Sequence, residues 1–178
     1  MRKLKLDELG RLSTQEFRSA PKVPFVLVLN NIRSLNNVGS AFRTADAFRI
    51  EKVILSGITG KPPHREIQKT ALGATETVEW SYEKEGVEAV KKLKNQGYKI
   101  ISVEQTTESI PLHRLEIESN SKIAAVFGNE VEGVDLEIIR ESDQIVEIPQ
   151  LGTKHSFNVA VSIGIVLWDM ALKGGYIK

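Results

Sequence analysis

Residues 25–46 read FVLVLNNIRSLNNVGSAFRTAD, and the fold follows from how this stretch divides. Residues 25–29 are an unbroken run of Phe, Val and Leu. A strand covered on both faces has this composition, because neither side needs polar residues. The polar loop NNIRSLNN comes next. Val38, Ala41, Phe42, Ala45 and Phe48 then recur at helical spacing, which predicts a helix over 37–48 with Asn36 or Asn37 as its cap. Further runs of the first kind occupy residues 52–56, 99–103, 122–127 and 144–148. Helical patterns occupy 83–95, closed by Gly97, then 136–141, and then 157–172, closed by Gly174 and Gly175. Strand and helix alternate, so the expected class is α/β: a mostly parallel sheet with helices on both faces.

Composition bounds the function. The chain has 178 residues, 41% of them hydrophobic and 26% charged, with a net charge of +1. That supports one globular core and is a soluble globular composition, not a disordered one. Cysteine is absent, which excludes disulfides and thiolate metal sites. The N-terminus, MRKLKLDELGR, carries charge instead of an apolar targeting stretch, so a cytoplasmic location is expected. The apolar run at 157–172 is shorter than a membrane span and carries Asn158, Ser162 and Asp169; it reads as a buried helix. Pro21 and Pro24 mark a boundary between an N-terminal basic arm, 1–24, and a main domain, 25–178. The arm holds six Lys and Arg residues against three acids, and residues 61–69 (KPPHREIQK) hold three bases, one acid and one histidine. Both clusters could contact phosphates, or could be solvated surface.

Ligands of open α/β sheets bind beyond the carboxyl ends of the strands. The segments following the strands are NNIRSLNNVGSAFRTAD, EQTTES, GNEVEGVD and PQLGTKHSFN. Glycine, amides and hydroxyls collect there, with few charges. Neither G-x-G-x-x-G nor G-x-x-x-x-G-K-[ST] is present, which argues against a dinucleotide fold and a P-loop. His64, His113 and His155 stand singly, without metal-ligand spacing; each reads as a surface residue.

Three of these segments carry the functional reading. The first holds Asn37, Gly39 and Arg43; taken alone, Arg43 reads as an arginine paired with a carboxylate on a helix surface. The second is Gly128, Asn129, Glu130 and Gly133, alone a turn with an acidic helix start. The third runs from Ile148, Pro149, Gln150 and Gly152 to Ser156, Phe157, Asn158 and Val159, alone a loop with a polar cap on a buried helix.

Taken together and in this order, they resemble the three motifs of the SpoU/TrmH branch of the SPOUT RNA methyltransferases. Lys69, Gly73 and Ala74 resemble a further segment of that branch. The resemblance covers residues 25–172. Departures are Phe157 where the family usually has leucine, Ala160 where a second serine is common, and Arg49 where glycine often follows the aromatic.

The resemblance implies a deep trefoil knot near the C-terminus, and a homodimer with active sites near the subunit interface. It implies transfer of a methyl group from S-adenosyl-L-methionine (SAM) to a ribose 2′-hydroxyl of tRNA or rRNA, with no metal. Transfer RNA is expected first, because a compact chain suits a small target. Arg43 is implied at the acceptor hydroxyl. A guanidinium stays protonated at neutral pH, so its expected work is to stabilise developing alkoxide and to clamp a phosphate. Glu130 is one candidate for taking the proton; its other reading is to orient Arg43 or the loop. Asn37, Ser156 and Asn158 would hold Arg43 and the substrate. Glu104, Gly128, Asn129, Ile148, Gln150 and Phe157 would form the SAM pocket, with adenine met mostly by main-chain amides. Arg2, Lys3, Lys5, Arg11, Lys61, Arg65 and Lys69 would contact RNA. The competing expectations are a catalytically silent knotted RNA-binding protein and the same fold methylating a base.

Overall fold

The computed structural model describes residues 1–177. Helix α1 (Thr14–Ser19) precedes β1 (Val23–Asn30), α2 (Leu35–Ala47) and β2 (Ile50–Ser56). Next come α3 (Arg65–Ala71), α4 (Ala74–Thr77), β3 (Glu79–Glu83), α5 (Gly86–Asn95) and β4 (Lys99–Val103). Strands β5 (Ile110–Pro111) and β6 (Ile123–Phe127), helix α6 (Leu136–Glu141), β7 (Gln144–Glu147) and α7 (Val159–Lys173) complete the order. The strands form one seven-stranded sheet, β3-β2-β1-β6-β4-β7-β5. Each neighbouring pair is parallel.

The unbroken apolar runs are sorted onto two faces by the period of a strand. Phe25, Leu27 and Leu29 join one core with α2, α3 and α7; Val26 and Val28 join the other with α5 and α6. Strand β6 divides the same way, Ile123, Ala125 and Phe127 against Ala124 and Val126. Each fully buried Leu or Phe contributes roughly 1.5–3 kcal/mol, so the central strands anchor both layers at once.

Helix α2 starts earlier than expected, and its cap is Ser34, whose Oγ accepts the Asn37 N–H at 3.3 Å. The capping expectation for Asn36 or Asn37 is corrected; the Asn37 side chain is engaged elsewhere. Gly39 sits where α2 meets α3: a Cβ there would lie 2.1 Å from Thr70 Oγ1 and 2.3 Å from the Ile67 carbonyl. Strand β3 shows no apolar run. It is an edge strand whose register on β2 fixes it, so the helix expected from 83 begins only at Gly86. Position 24 is no structural break. Val23 opens β1, Phe17 of α1 is buried in the main core, and Arg18 donates to the Glu76 carbonyl at 2.7 Å. Among the described residues no helix is long and apolar enough to cross a membrane.

Candidate active site

After β1 the chain crosses through α2 to β2; after β6 it crosses through α6 to β7, on the other side. Strands β1 and β6 are neighbours whose connections leave on opposite sides, a topological switch point, and the loops that follow them are tied together through Asn129 and Glu130. A cleft of about 550 Å³ opens at this edge, walled by residues 103–105, 127–133 and 147–159.

The loop after β6 is held tightly. Asn129 and Gly133 exchange two backbone hydrogen bonds of 2.9 Å. The Asn129 Oδ1 accepts the Val131 and Glu132 N–H groups at 2.8 and 3.1 Å, and its Nδ2 donates to the Asn31 carbonyl at 2.7 Å. Glu104 braces the same loop from β4. One of its oxygens accepts the Val134 N–H at 2.9 Å and the other accepts the Gln105 N–H at 2.8 Å. The cleft wall is therefore largely backbone, stiffened by side chains that point into the loop.

Glu130 reaches the start of α2. Its carboxylate accepts the Arg33 and Ser34 N–H groups at 2.9 and 3.1 Å, and the Asn37 amide at 3.0 Å. A negative charge at a helix N-terminus is also favoured by the helix dipole. Burial of Glu130 works against ionisation, but the bonds from Arg33, its own N–H, Ser34 and Asn37 outweigh it, and its pKa lies below the ordinary glutamate value. It is a weaker base than a free carboxylate. The polar chain continues: Asn158 Nδ2 donates to Asn37 Oδ1 at 3.2 Å, and Asn158 Oδ1 caps α7 through the Ala160 N–H at 2.9 Å. Glu130, Asn37 and Asn158 thus join all three sequence segments in one hydrogen-bonded line.

That line has a pH signature. A folded pKa below the unfolded value of about 4.3 stabilises the protein above that pH, and the stabilisation disappears as pH falls through the lower folded value. Glu130→Gln is expected to reduce stability at pH 7 and to converge with wild type in acid. Urea midpoints measured from pH 7 down to pH 3 check this; parallel curves would contradict it.

The 148–158 segment closes the cleft. Gln105 Nε2 and Gln150 Nε2 both donate to the His155 carbonyl, at 2.8 and 3.3 Å. Four glutamates (104, 130, 132 and 147) line the cleft, and among the described residues no lysine or arginine does. That charge balance disfavours a phosphate-bearing ligand and suits a cationic one.

Comparison with known proteins shows the family. The profile of the SpoU rRNA Methylase family matches residues 24–168. The chain belongs to the SpoU rRNA methylase family. A tRNA (guanosine(18)-2'-O)-methyltransferase of Borreliella burgdorferi is 29% identical over 82% of this chain and 65% of its own length. The 23S rRNA (guanosine-2'-O-)-methyltransferase RlmB of Neisseria meningitidis serogroup B is 33% identical over 81% of this chain and 56% of its own. The chain thus spans less than two thirds of the length of these two relatives. An uncharacterized tRNA/rRNA methyltransferase of Borreliella burgdorferi is 30% identical over 94% of this chain and 76% of its own. In structure, the A. aeolicus TrmH/SpoU tRNA modifying enzyme superposes with a TM-score of 0.81 at 23% identity, covering 92% of this chain and 81% of that one. The AdoMet-bound rRNA methyltransferase from Sinorhizobium meliloti gives 0.79 at 23% identity, over 88% and 59% of the two chains. These likenesses establish the fold.

Within this SpoU-type domain the expected residues separate into three groups. Glu104, Gly128, Asn129, Glu130, Ile148, Gln150, Ser156, Phe157 and Asn158 all line the cleft, and Asn37 joins it through Glu130 and Asn158. Arg43 does not line it. Arg43 is exposed on α2 with Asn36 and Ala47, and among the described residues it forms no ion pair. The surface-pair reading of Arg43 is therefore corrected, and Glu130 orients the start of α2 with no contact to Arg43. The basic residues stand away from the cleft. Arg2 is bound to Glu8 through two contacts of 2.6 and 2.7 Å, while Lys3, Lys5, Arg11, Lys61, Arg65 and Lys69 are exposed.

Gln105, Glu147 and His155 line the cleft although sequence reasoning passed over them. Gln105 and His155 lie in the segments read after the strands, so position was the available signal. Beside the cleft, a second cavity of about 650 Å³ shares Ile148 and is lined by Phe48, Gly164, Ile165 and Trp168. Val161, Trp168 and Leu172 are exposed on one stripe of α7, with Trp168 at 57%.

Proposed function

We propose that this chain is a SAM-dependent RNA methyltransferase acting on a ribose 2′-hydroxyl of tRNA or rRNA. The single observation that carries the reading is the cleft itself: the second and third motifs line it, the first is hydrogen-bonded to it through Asn37, and it has backbone walls and carboxylates where a phosphate site would have cations. The residues present fit SAM. Amides of the 128–133 and 148–157 segments suit adenine and ribose, and the glutamates suit the sulfonium and ammonium charges. When bound, SAM supplies an electrophilic methyl group. The protein's part is to hold donor and acceptor in line. The Glu130–Asn37–Asn158 line fixes the cleft floor, and Glu130 serves as a positioning group because its oxygens are already occupied. Arg43 stabilises charge on the acceptor oxygen and clamps a neighbouring phosphate. Guanosine is the leading nucleotide, since both named relatives methylate it; tRNA ranks ahead of rRNA, and the cytoplasm is the expected location.

The family reading adds a homodimer and a deep trefoil knot near the C-terminus. The Gln105 bond to the His155 carbonyl, which ties the segment after β7 to that after β4, supports the knot. The exposed α7 stripe supports the dimer, because contiguous apolar surface marks an interface. Arg43 supports it independently. It lies on the exposed Asn36 side of α2 and does not line its own chain's cleft, which suits a role in the cleft of a second copy. Mixing Arg43→Ala with Asn158→Ala protein is expected to restore about a quarter of wild-type transfer, since half the symmetric dimers are mixed and each carries one intact site. No restoration would place Arg43 in its own chain's cleft. The N-terminal basic arm, residues 1–24, is read as RNA-binding through Arg2, Lys3, Lys5 and Arg11.

The test of the activity is incubation with methyl-labelled SAM and total tRNA or rRNA, then nuclease digestion and mass spectrometry. A 2′-O-methyl nucleoside supports the proposal. A base methyl favours the base-modifying alternative, and no label in either pool favours the silent RNA-binding one.

A further inference from the structure

The carboxyl edge of the sheet continues past the cleft. The Arg33 N–H is bound to Glu130, and Arg33 itself is exposed. Hydrogen bonds stitch its loop to the one after β2. The Ile32 N–H donates to Thr59 Oγ1 at 2.9 Å, Thr59 Oγ1 donates to the Leu29 carbonyl at 3.0 Å, and the Ile58 N–H donates to Asn31 Oδ1 at 3.1 Å. The β2 loop is tied in turn to β3, where the Tyr82 hydroxyl donates to the Gly57 carbonyl at 3.0 Å. One fixed edge therefore runs from the cleft through Arg33 and Ile58 to Tyr82. Lys61 lies with its Nζ 4.1 Å from the centre of the Tyr82 ring, and Arg65, four residues further along the chain, opens α3.

Arg33, Lys61 and Arg65 form no ion pair among the described residues. The nearby acids are otherwise engaged: Glu130 by its three donors and Glu83 by Lys92 at 2.8 Å. Glu66, in the first turn of α3, is the exception. Ile58 is 67% exposed and Tyr82 is exposed on the edge strand.

We propose that this edge is a track for a single-stranded segment of the substrate RNA, with phosphates on Arg33, Lys61 and Arg65 and one unstacked base on the Tyr82 ring. The proposal rests on the RNA-methyltransferase reading and adds the face, the strandedness and three residues not otherwise assigned: Arg33, Ile58 and Tyr82. Unpaired cations along a groove edge bind phosphate by releasing counterions. An aromatic ring among them adds stacking that any base satisfies. A duplex keeps its bases stacked and would leave Tyr82 and Ile58 without a partner. The Lys61 ammonium covers the ring in the free protein; an incoming base takes that position, and Lys61 moves to the adjoining phosphate.

The experiment is fluorescence anisotropy on the full chain, with a labelled single-stranded RNA 12-mer, a hairpin duplex and polyglutamate as probes, and SAM titration as a control of the cleft. Tyr82→Ala is expected to weaken single-strand binding about tenfold, Tyr82→Phe to stay within about twofold because the ring face remains, and Arg33→Ala and Lys61→Ala each to lower the salt slope by about one. SAM affinity is expected to be unchanged in all four variants. Wild-type affinity for single-strand RNA from Tyr82→Ala, equal losses on the duplex, or polyglutamate binding as well as RNA would overturn the track. If wild type methylates RNA while these variants bind as it does, only the track fails; if wild type binds neither SAM nor RNA, the enzyme reading fails with it.

Discussion

Arg43→Ala is expected to lower methyl transfer by about 10²–10³-fold, the usual loss when one donor to a developing oxyanion is removed, while SAM affinity and thermal stability stay at wild-type values. The separation follows from where the residue sits. Arg43 is exposed, forms no ion pair among the described residues and does not line the cleft. Substitutions at such positions shift stability by about 0.5 kcal/mol or less. Under the proposed role of Arg43, a large kinetic loss is then a loss of contact with the acceptor. Arg43→Lys is expected to recover only part of the rate, because an ammonium lacks the planar fork that addresses oxygen and phosphate together. Single-turnover rates with SAM titration check both variants; an Arg43→Ala enzyme at wild-type rate would remove the residue from the reaction.

Gly128→Ala is expected to destabilise the protein by about 3 kcal/mol, the upper end for overpacking, and to abolish SAM binding. A Cβ at this position would lie 2.1 Å from the Gly133 carbonyl carbon and 2.2 Å from the Val134 nitrogen. Both are backbone atoms of the loop that Asn129 and Glu104 hold in place, so neither yields cheaply. The matched control is Gly152, another motif glycine, whose added Cβ meets nothing within 4 Å. Thermal melts are expected to show a fall of about 6–12 °C for Gly128→Ala and no change for Gly152→Ala. Equal melting temperatures would mean that the 128–134 loop is softer than its hydrogen bonds indicate.

The β1–α2 unit was legible because its two periods, a continuous apolar run and then helical spacing, follow each other within residues 25–48. Strand β3 was not legible: EWSYE has no apolar run, and only its pairing with β2 makes it a strand. Helices α3 and α4 are short, and α3 buries only Ile67 and Ala71, too few positions to show a period. The cap of α2 was misplaced because Asn37 has strong cap chemistry, yet its side chain is claimed by Glu130 and Asn158. That competition was invisible in the sequence, since the partners lie 93 and 121 positions away. The motif residues of the cleft could be named one by one. Their joining into one line, and the outward placement of Arg43, needed three dimensions. Arg33 was missed because a lone arginine in a loop carries no spacing signal.

Crystals grown with S-adenosylhomocysteine, the demethylated product of SAM, test the assignment of this cleft as the donor site most directly. The expected result is ligand density between residues 103–105, 127–133 and 147–158. Density seated elsewhere on the molecule, or a ligand bound in solution with this cleft still closed by protein, would contradict it.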